Sequence, residues 1–232
     1  MSEASEKVAG LKQLPLFPLP LVLLPNEVLP LHIFEPRYRQ MLRDIELRRN
    51  LFGVNFFDVE TAASDRPDIG SVGCVAEVRE ASVLPDGRSN IITSGIIRYR
   101  LLDYSTDDTP YFTGVLEFFE DDPEDDATIV PLADEVFDLF SRVAKAAFQL
   151  GGGRGTFPEI PKAEPEQLSF LVTAAFNLDN EVKYRMLEIK STEERLTRLR
   201  GILVQAVDKM ESNAETVKAA QTNGHSDKKL DL

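Results

Sequence analysis

The chain of 232 residues contains one cysteine, two histidines and no tryptophan. A lone cysteine, Cys74, excludes an internal disulfide, so no covalent staple supplements the core. The histidines, His32 and His225, lie far apart and have no cysteine companions. They cannot supply the His/Cys spacing of a zinc site. Basic residues are missing from the middle of the chain. From Leu101 to Ser141 there are thirteen Asp or Glu and no Lys or Arg. With a formal net charge of −13 and no basic stripe, the chain lacks the means to neutralise a run of phosphates. Nucleic acid is therefore not an expected partner.

An uninterrupted apolar helix is also missing. Residues 14–39, LPLFPLPLVLLPNEVLPLHIFEPRYR, are long and apolar enough to suggest a membrane span. Pro15, Pro18, Pro20, Pro25 and Pro30 exclude one, because each lacks an N–H and fixes φ. The polar opening MSEASEKVAGLKQ has no secretory signal character. The expected location is the cytoplasm, without a membrane partner.

Catalytic motifs are likewise wanting. No G-x-x-x-x-G-K-[ST] phosphate loop occurs. The nearest glycine cluster, Gly151 to Gly155, has no lysine and follows a helical rather than a strand pattern. No G-x-S-x-G elbow is present. The acids Asp121, Asp122, Glu124, Asp125 and Asp126 lack the glycine and spacing of a calcium loop. They read as a solvated connection. No enzyme activity, cofactor or metal is expected.

What is present is an ordinary globular composition, 43% hydrophobic and 28% charged, in a chain long enough for a sizeable core. The opening predicts two or three short strands before Phe34. Pro36 fits the first turn of a helix, with Tyr38, Met41, Leu42 and Ile45 on one apolar face. Leu42 is expected at the centre of that face. Leu51 to Val59 reads as a strand with Phe52, Val54 and Phe56 on one side. Val72, Cys74, Ala76 and Val78 alternate with a partly apolar second set, which predicts a strand covered on both faces and a buried, inert thiol. Leu84-Pro85-Asp86-Gly87-Arg88 is a hairpin turn, with Pro presetting φ and Gly accepting a left-handed conformation. Ser89 to Leu102 and Tyr111 to Phe119 are further strands.

The period then changes. Val136, Phe137, Phe140, Val143, Ala144, Ala147 and Phe148 trace a helical stripe. Leu168, Leu171, Val172, Ala175 and Phe176 trace a second, and Val182, Met186 and Leu187 a short third. Ser191-Thr192-Glu193-Glu194 reads as a capping box before a last helix carrying Leu196, Leu199, Leu203 and Val207. Strands first and helices last predict an α+β fold. The expected segments are a flexible leader over 1–12, a β-rich subdomain over 13–126, a helical subdomain over 127–210 and a disordered tail over 211–232.

A segment that begins Leu-Pro-Leu-Phe-Pro-Leu and closes Ile-Phe-Glu-Pro-Arg-Tyr resembles the start of the N-terminal substrate-binding domain of Lon proteases. Ile69-Gly70-Ser71-Val72-Gly73, Leu84-Pro85-Asp86-Gly87 and Gly95-Ile96-Ile97-Arg98-Tyr99 resemble its middle. Val182 through Leu187-Glu188 to Glu194-Arg195-Leu196 is similar to its helical end. The resemblance covers about Leu11 to Val207. It implies a PUA-like β-rich pseudo-barrel with one helix, followed by a helical bundle. The implied role is non-catalytic binding of unfolded or partly folded proteins through their apolar segments, in a freestanding domain acting as adaptor or holdase, alone or beside a protease. Tyr184 departs from the glutamine frequent in that family.

Two doublets, Phe56-Phe57 and Phe118-Phe119, lie in predicted strands, where neighbours point to opposite faces. One ring of each pair can enter the core. Phe57 and Phe119 are the candidate protein-binding residues. An alternative class, RNA binding by a PUA-like domain, would rest on Arg37, Arg39, Arg43, Arg48 and Arg49. A hydrolase is the third.

Overall fold

The computed structural model describes residues 2–58, 64–150 and 156–223, and only the backbone at 149–150 and 211–223. It sorts the chain into two compact units, residues 1–123 with 169–192, and 124–168 with 193–232. The architecture is α+β, as the element order predicts.

The first unit is built on strands β1 (Gln13–Leu19), β2 (Val28–Ile33), β3 (Leu51–Phe56), β4 (Val72–Val83), β5 (Ser89–Tyr104) and β6 (Thr113–Phe119). Their order is β2-β5-β4-β3-β1-β6, and β6 pairs again with β5. That last pairing closes a ring of β5, β4, β3, β1 and β6. Only the β1–β3 step is parallel, with Leu16 opposite Gly53. The sixteen-residue β5 serves two structures. Its second half, Arg98 to Tyr104, pairs with β6 and completes the ring. Its first half, Ser89 to Ser94, carries β2 on its outer side. Register shifts in the β4–β5 ladder at Cys74/Ala76 and Val78/Glu80 bend the ribbon between these halves.

Alternation along the strands sends Leu16, Val75, Tyr99, Leu101 and Leu116 into the ring, all buried. Helix α1 (Glu3–Val8) adds Val8 to the same cluster. The expected flexible leader is thus partly a helix, N-capped by Ser2, whose hydroxyl accepts from the Ser5 amide at 3.1 Å. One buried valine anchors a segment whose composition is polar. Inside the ring the Tyr99 hydroxyl donates to Asn55 Oδ1 at 2.6 Å. Gly53 makes room for that ring: a Cβ there would lie 2.5 Å from the Tyr99 oxygen and 2.9 Å from a Leu16 methyl.

The opposite strand faces present Phe17, Phe52, Val54, Val72, Cys74 and Ala76 to a second apolar layer. Helix α2 (Pro36–Glu46) fills it with Tyr38, Met41 and Ile45. Pro36 opens this helix where its missing N–H costs nothing. Asn50, left-handed at φ 56°, donates its amide back to the Ile45 carbonyl at 3.1 Å and ends the excursion. Met41, fully buried, is central to the face, whereas Leu42 is only partly buried at its edge. The expected centre falls one residue late, because 3.6-residue periodicity alone does not distinguish the middle of a stripe from its margin.

Helix α4 (Pro165–Ala175) and helix α5 (Asn180–Glu188) depart from the expected partition. From Ser169 onward they belong to the first unit, where Phe170 and Leu187 join the outer layer of the β structure. The Tyr184 hydroxyl accepts from the Val72 amide at 3.0 Å, and its ring meets Phe56 at 5.9 Å. Outward-facing apolar strand positions need a cover, and a segment distant in sequence supplies it.

The second unit contains helix α3 (Asp126–Leu150) and helix α6 (Thr192–Asn223), whose first residue counts with the other unit. Leu196, Leu199, Leu203 and Val207 of α6 are buried, the stripe read from the sequence. Of the α3 stripe only Val136 and Val143 are buried, with Ala133 beside them, whereas Phe137, Phe140, Ala144 and Phe148 are partly buried and Ala147 is exposed. Arg200 pairs with Glu135 at 3.2 Å, and Lys162 with Asp134 at 2.7 Å. The backbone of α6 stays helical to Asn223, so residues 211–223 differ from the expected disordered tail. Helix propagation adds one hydrogen bond per residue and continues past the last buried leucine. His225, the glycine run 151–155 and the rest of the tail lie outside the described residues. Among the described residues, no helix is long and apolar enough to cross a membrane.

Candidate functional site

The first half of β5 gives the β unit a face that no described element of that unit covers. Val28, Pro30 and His32 alternate on one side of β2, and Phe34 continues the alternation past the strand end. Pro30 stands opposite Ile92 and His32 opposite Asn90. Val28 is 63% exposed, Phe34 60% and Ile92 36%. The His32 ring stacks on Phe34 at 6.1 Å, and its Nδ1 is 2.7 Å from Asn90 Oδ1. The other side of the same strands carries Ile33 and Ile91, both buried. The result is a two-sided ribbon with one apolar face sealed and one face open, on which Val28, Pro30, Phe34 and Ile92 stand among His32, Asn90 and Ser94, on an edge strand whose Pro30 withholds an amide donor.

Beside it, α2 and the β4–β5 hairpin enclose a groove of about 420 Å³. Leu42, Ile45, Val78, Ala81 and Val83 give it an apolar lining, and Val83 is 74% exposed.

Neither sequence candidate forms part of these surfaces. Phe119 packs against the outer core layer and lies between two cations, with the Arg98 guanidinium 4.7 Å and the Lys190 ammonium 5.1 Å from its ring centre. Phe57 follows β3 directly, is half-buried, and donates its amide to the Leu19 carbonyl at 2.8 Å. Its doublet partner Phe56 packs on the core, and Phe118 packs on the cluster inside the ring. The residues that do stand exposed, Val28, Phe34 and Ile92, carry a usable signal. The run Val28 to Phe34 alternates, and Val28, Pro30 and Phe34 fall on its polar-expected side.

Arg98 explains why Phe119 is occupied. It lies on the outer face of β5, is 1% exposed, and forms an ion pair with Asp121. It also donates to the carbonyls of Leu187 at 3.2 Å and Ile189 at 2.5 Å. The Thr192 hydroxyl donates to the other Asp121 oxygen. A buried guanidinium is tolerable only with such saturation. The acidic connection is therefore partly structural, since Asp121 anchors β5 to the chain around α5.

The arginines of the RNA reading do not form one track. Arg37 pairs with Glu35 at 2.9 Å, Arg43 donates to Gln40 at 2.5 Å, and Arg49 donates to the carbonyls of Lys7 and Ala9 at 3.0 Å. The Cys74 thiol is wholly buried, and desolvation pushes its pKa up to about 12, far from a nucleophile's range. No cluster of metal-ligating side chains occurs among the described residues.

The chain is similar to known proteins. Residues 13–205 match the model of the ATP-dependent protease La (LON) substrate-binding domain. The chain belongs to that family. It is 28% identical over 203 residues to Lon protease 1 of Thermus thermophilus, covering 86% of this chain and 25% of that protein. It is 25% identical over 207 residues to Lon protease 2 of Herpetosiphon aurantiacus, covering 86% and 24%. The chain thus spans about a quarter of the length of these curated relatives. Its fold is similar to that of a Lon N-terminal domain protein from Xanthomonas campestris (TM-score 0.58, 22% identity, 81% of this chain and 96% of that one). It is also similar to the N-terminal domain of Mycobacterium avium complex Lon protease (TM-score 0.60, 17% identity, 83% and 98%).

Proposed function

We propose that this domain binds exposed apolar segments of unfolded or partly folded proteins, without chemistry of its own, and presents or protects them as an adaptor or holdase. Family membership supports the substrate-binding role. The observation that carries the apolar specificity is the open face of Val28, Pro30, Phe34 and Ile92 on a strand whose reverse side is sealed. A solvated apolar cluster of this kind on an otherwise acidic chain is a place where a partner's apolar side chains leave water at little cost in order. Rigidity helps: the backbone beneath Val28, Pro30 and Ile92 is held by the β2–β5 ladder, so little backbone freedom is left to lose on binding.

The test is capture of a reduced, permanently unfolded client by the purified domain, compared with the same client in its native state. The unfolded form should bind and the native form should not. Phe34→Ser combined with Val28→Ser should weaken capture by about tenfold or more, since two apolar contacts are lost. Equal binding by wild type and the double variant would remove the face from the proposal. Absence of any client binding would remove the function.

A further inference from the structure

The groove between α2 and the hairpin holds a charged group that the described chain leaves unanswered. Arg39 reaches from α2 across to the turn Leu84–Arg88 and lays its guanidinium over Gly87. That residue has φ +79° and no Cβ, so the turn admits the planar group where another side chain would block it. Arg39 Nε is buried and has no hydrogen-bond partner, the one such side-chain nitrogen or oxygen among the described residues. The carboxylates nearby are engaged elsewhere or stand apart. Asp86, in the same turn, is bonded to Arg88 at 2.6 Å, and Glu35 to Arg37. Glu46 and Glu80 line the groove without bonding Arg39. Of the other two guanidinium groups there, Arg43 is held by Gln40 and Arg79 by Glu77. A buried donor left unmade is costly, and among the groove's three arginines Arg39 is the one that no acid or amide of the described residues holds, which leaves the outer part of its guanidinium to an acceptor from outside the chain.

We infer that this groove captures the free C-terminal carboxylate of a peptide that ends in an apolar residue, with the carboxylate on Arg39 and the last side chain on Leu42, Ile45 and Val83. Three features fit. The lining carries three Arg against two Glu, and with Glu77 taken up by Arg79 the groove is close to neutral on a chain of net charge −13. A guanidinium matches a carboxylate in shape and pairs with it bidentately. The volume of about 420 Å³ is near the lower end for ligand sites, which suits one chain end rather than a long segment. In a terminal residue the carboxylate and the side chain leave the same Cα, so one residue can satisfy both the polar and the apolar wall. The site is separate from the β2 face and stands without it.

The test uses a short fluorescent peptide ending in leucine, as the free acid, as the C-terminal amide, and as the amide with one internal glutamate. Binding to the full chain is followed by anisotropy. The free acid should bind about tenfold tighter than the amide or more, the value of a charge-assisted hydrogen-bond pair. Arg39→Gln should erase that preference. Val83→Asp places a carboxylate at an exposed wall of the groove and should also weaken the acid selectively. Because Val83 is a surface position, that variant decides the matter if Arg39→Gln does not fold. Equal affinity of acid and amide for wild type overturns the inference, as does a preference that survives both substitutions. An internal-glutamate amide that binds as tightly as the free acid overturns the assignment to a chain end. Client capture that persists in wild type without acid preference sinks the groove and spares the β2 face. Acid preference without client capture does the reverse.

Discussion

The two halves of β5 are one strand in two environments. From Ile97 to Leu101 it belongs to a closed ring, and Ile97, Arg98, Tyr99 and Leu101 are all buried whichever side they point to. From Ser89 to Ser94 it belongs to an open ribbon, where Ile91 and Thr93 are buried and Ile92 is 36% exposed. Closure removes both sheet edges and, with α4 and α5 outside, both faces. The open half keeps one edge and one face. Under the proposed function, stability and binding fall on different stretches of the same strand. The closed half tolerates little change, whereas the open half can carry an apolar surface at little cost to folding.

The largest effect expected from attacking the closed half is at Arg98. Arg98→Ala would leave Asp121 buried without its cation and the Leu187 and Ile189 carbonyls without their donor. It should cost about 3–5 kcal/mol, the range for breaking a buried pair from one side. Chemical denaturation would read this as a lowered midpoint, and an unchanged midpoint would show that the pair is not structural. Met41→Ala should follow, at about 2–5 kcal/mol for an emptied core site. Leu42→Ala at the groove margin should cost clearly less, and a reversal of that order would move the centre of the α2 face back to Leu42.

Gly53→Ala should rank next. The added methyl meets the Tyr99 ring and Leu16 inside the ring of strands, and overpacking of this kind costs about 1–3 kcal/mol. Pairing it with Tyr99→Phe, which removes the nearest oxygen, should recover part of the loss. No recovery would mean that the strain lies in the backbone. The smallest stability effects belong to the open half. Val28→Ser and Ile92→Thr should change stability by less than about 0.5 kcal/mol while weakening client capture. A large destabilisation there would show that the open face is covered. Cys74 offers an independent probe: a thiol reagent at mildly alkaline pH should label it only after unfolding, because burial both shields the sulfur and raises its pKa.

Much of this arrangement is legible along the chain, and the reasons are local. Pro36 opens α2, Asp86-Gly87 turns the hairpin, and alternation through Val72 to Val78 gives a strand covered on both sides. Each depends on φ, on a missing N–H or on a period of two, all properties of adjacent residues. The helical stripes of α3 and α6 follow from a 3.6-residue period in the same way. The spacing of prolines in the opening excludes a membrane helix on covalent grounds alone.

Other features depend on which distant segments meet, and no adjacent residues encode that. Val8 anchors a polar leader because a barrel cluster lies beside it. Phe119 is masked because Arg98, buried by closure of the ring, needs an aromatic and an acid around it. Phe170 and Leu187 join the β unit because its outer strand faces need a cover. Arg39 Nε stands unpaired because a glycine forty-eight positions later lets the guanidinium lie across the turn, while Asp86 and Glu35 are paired with other arginines and Glu46 and Glu80 line the groove without reaching it. Periodicity determines which residues share a face. Only burial, set by long-range packing, decides which face is sealed and which is left open.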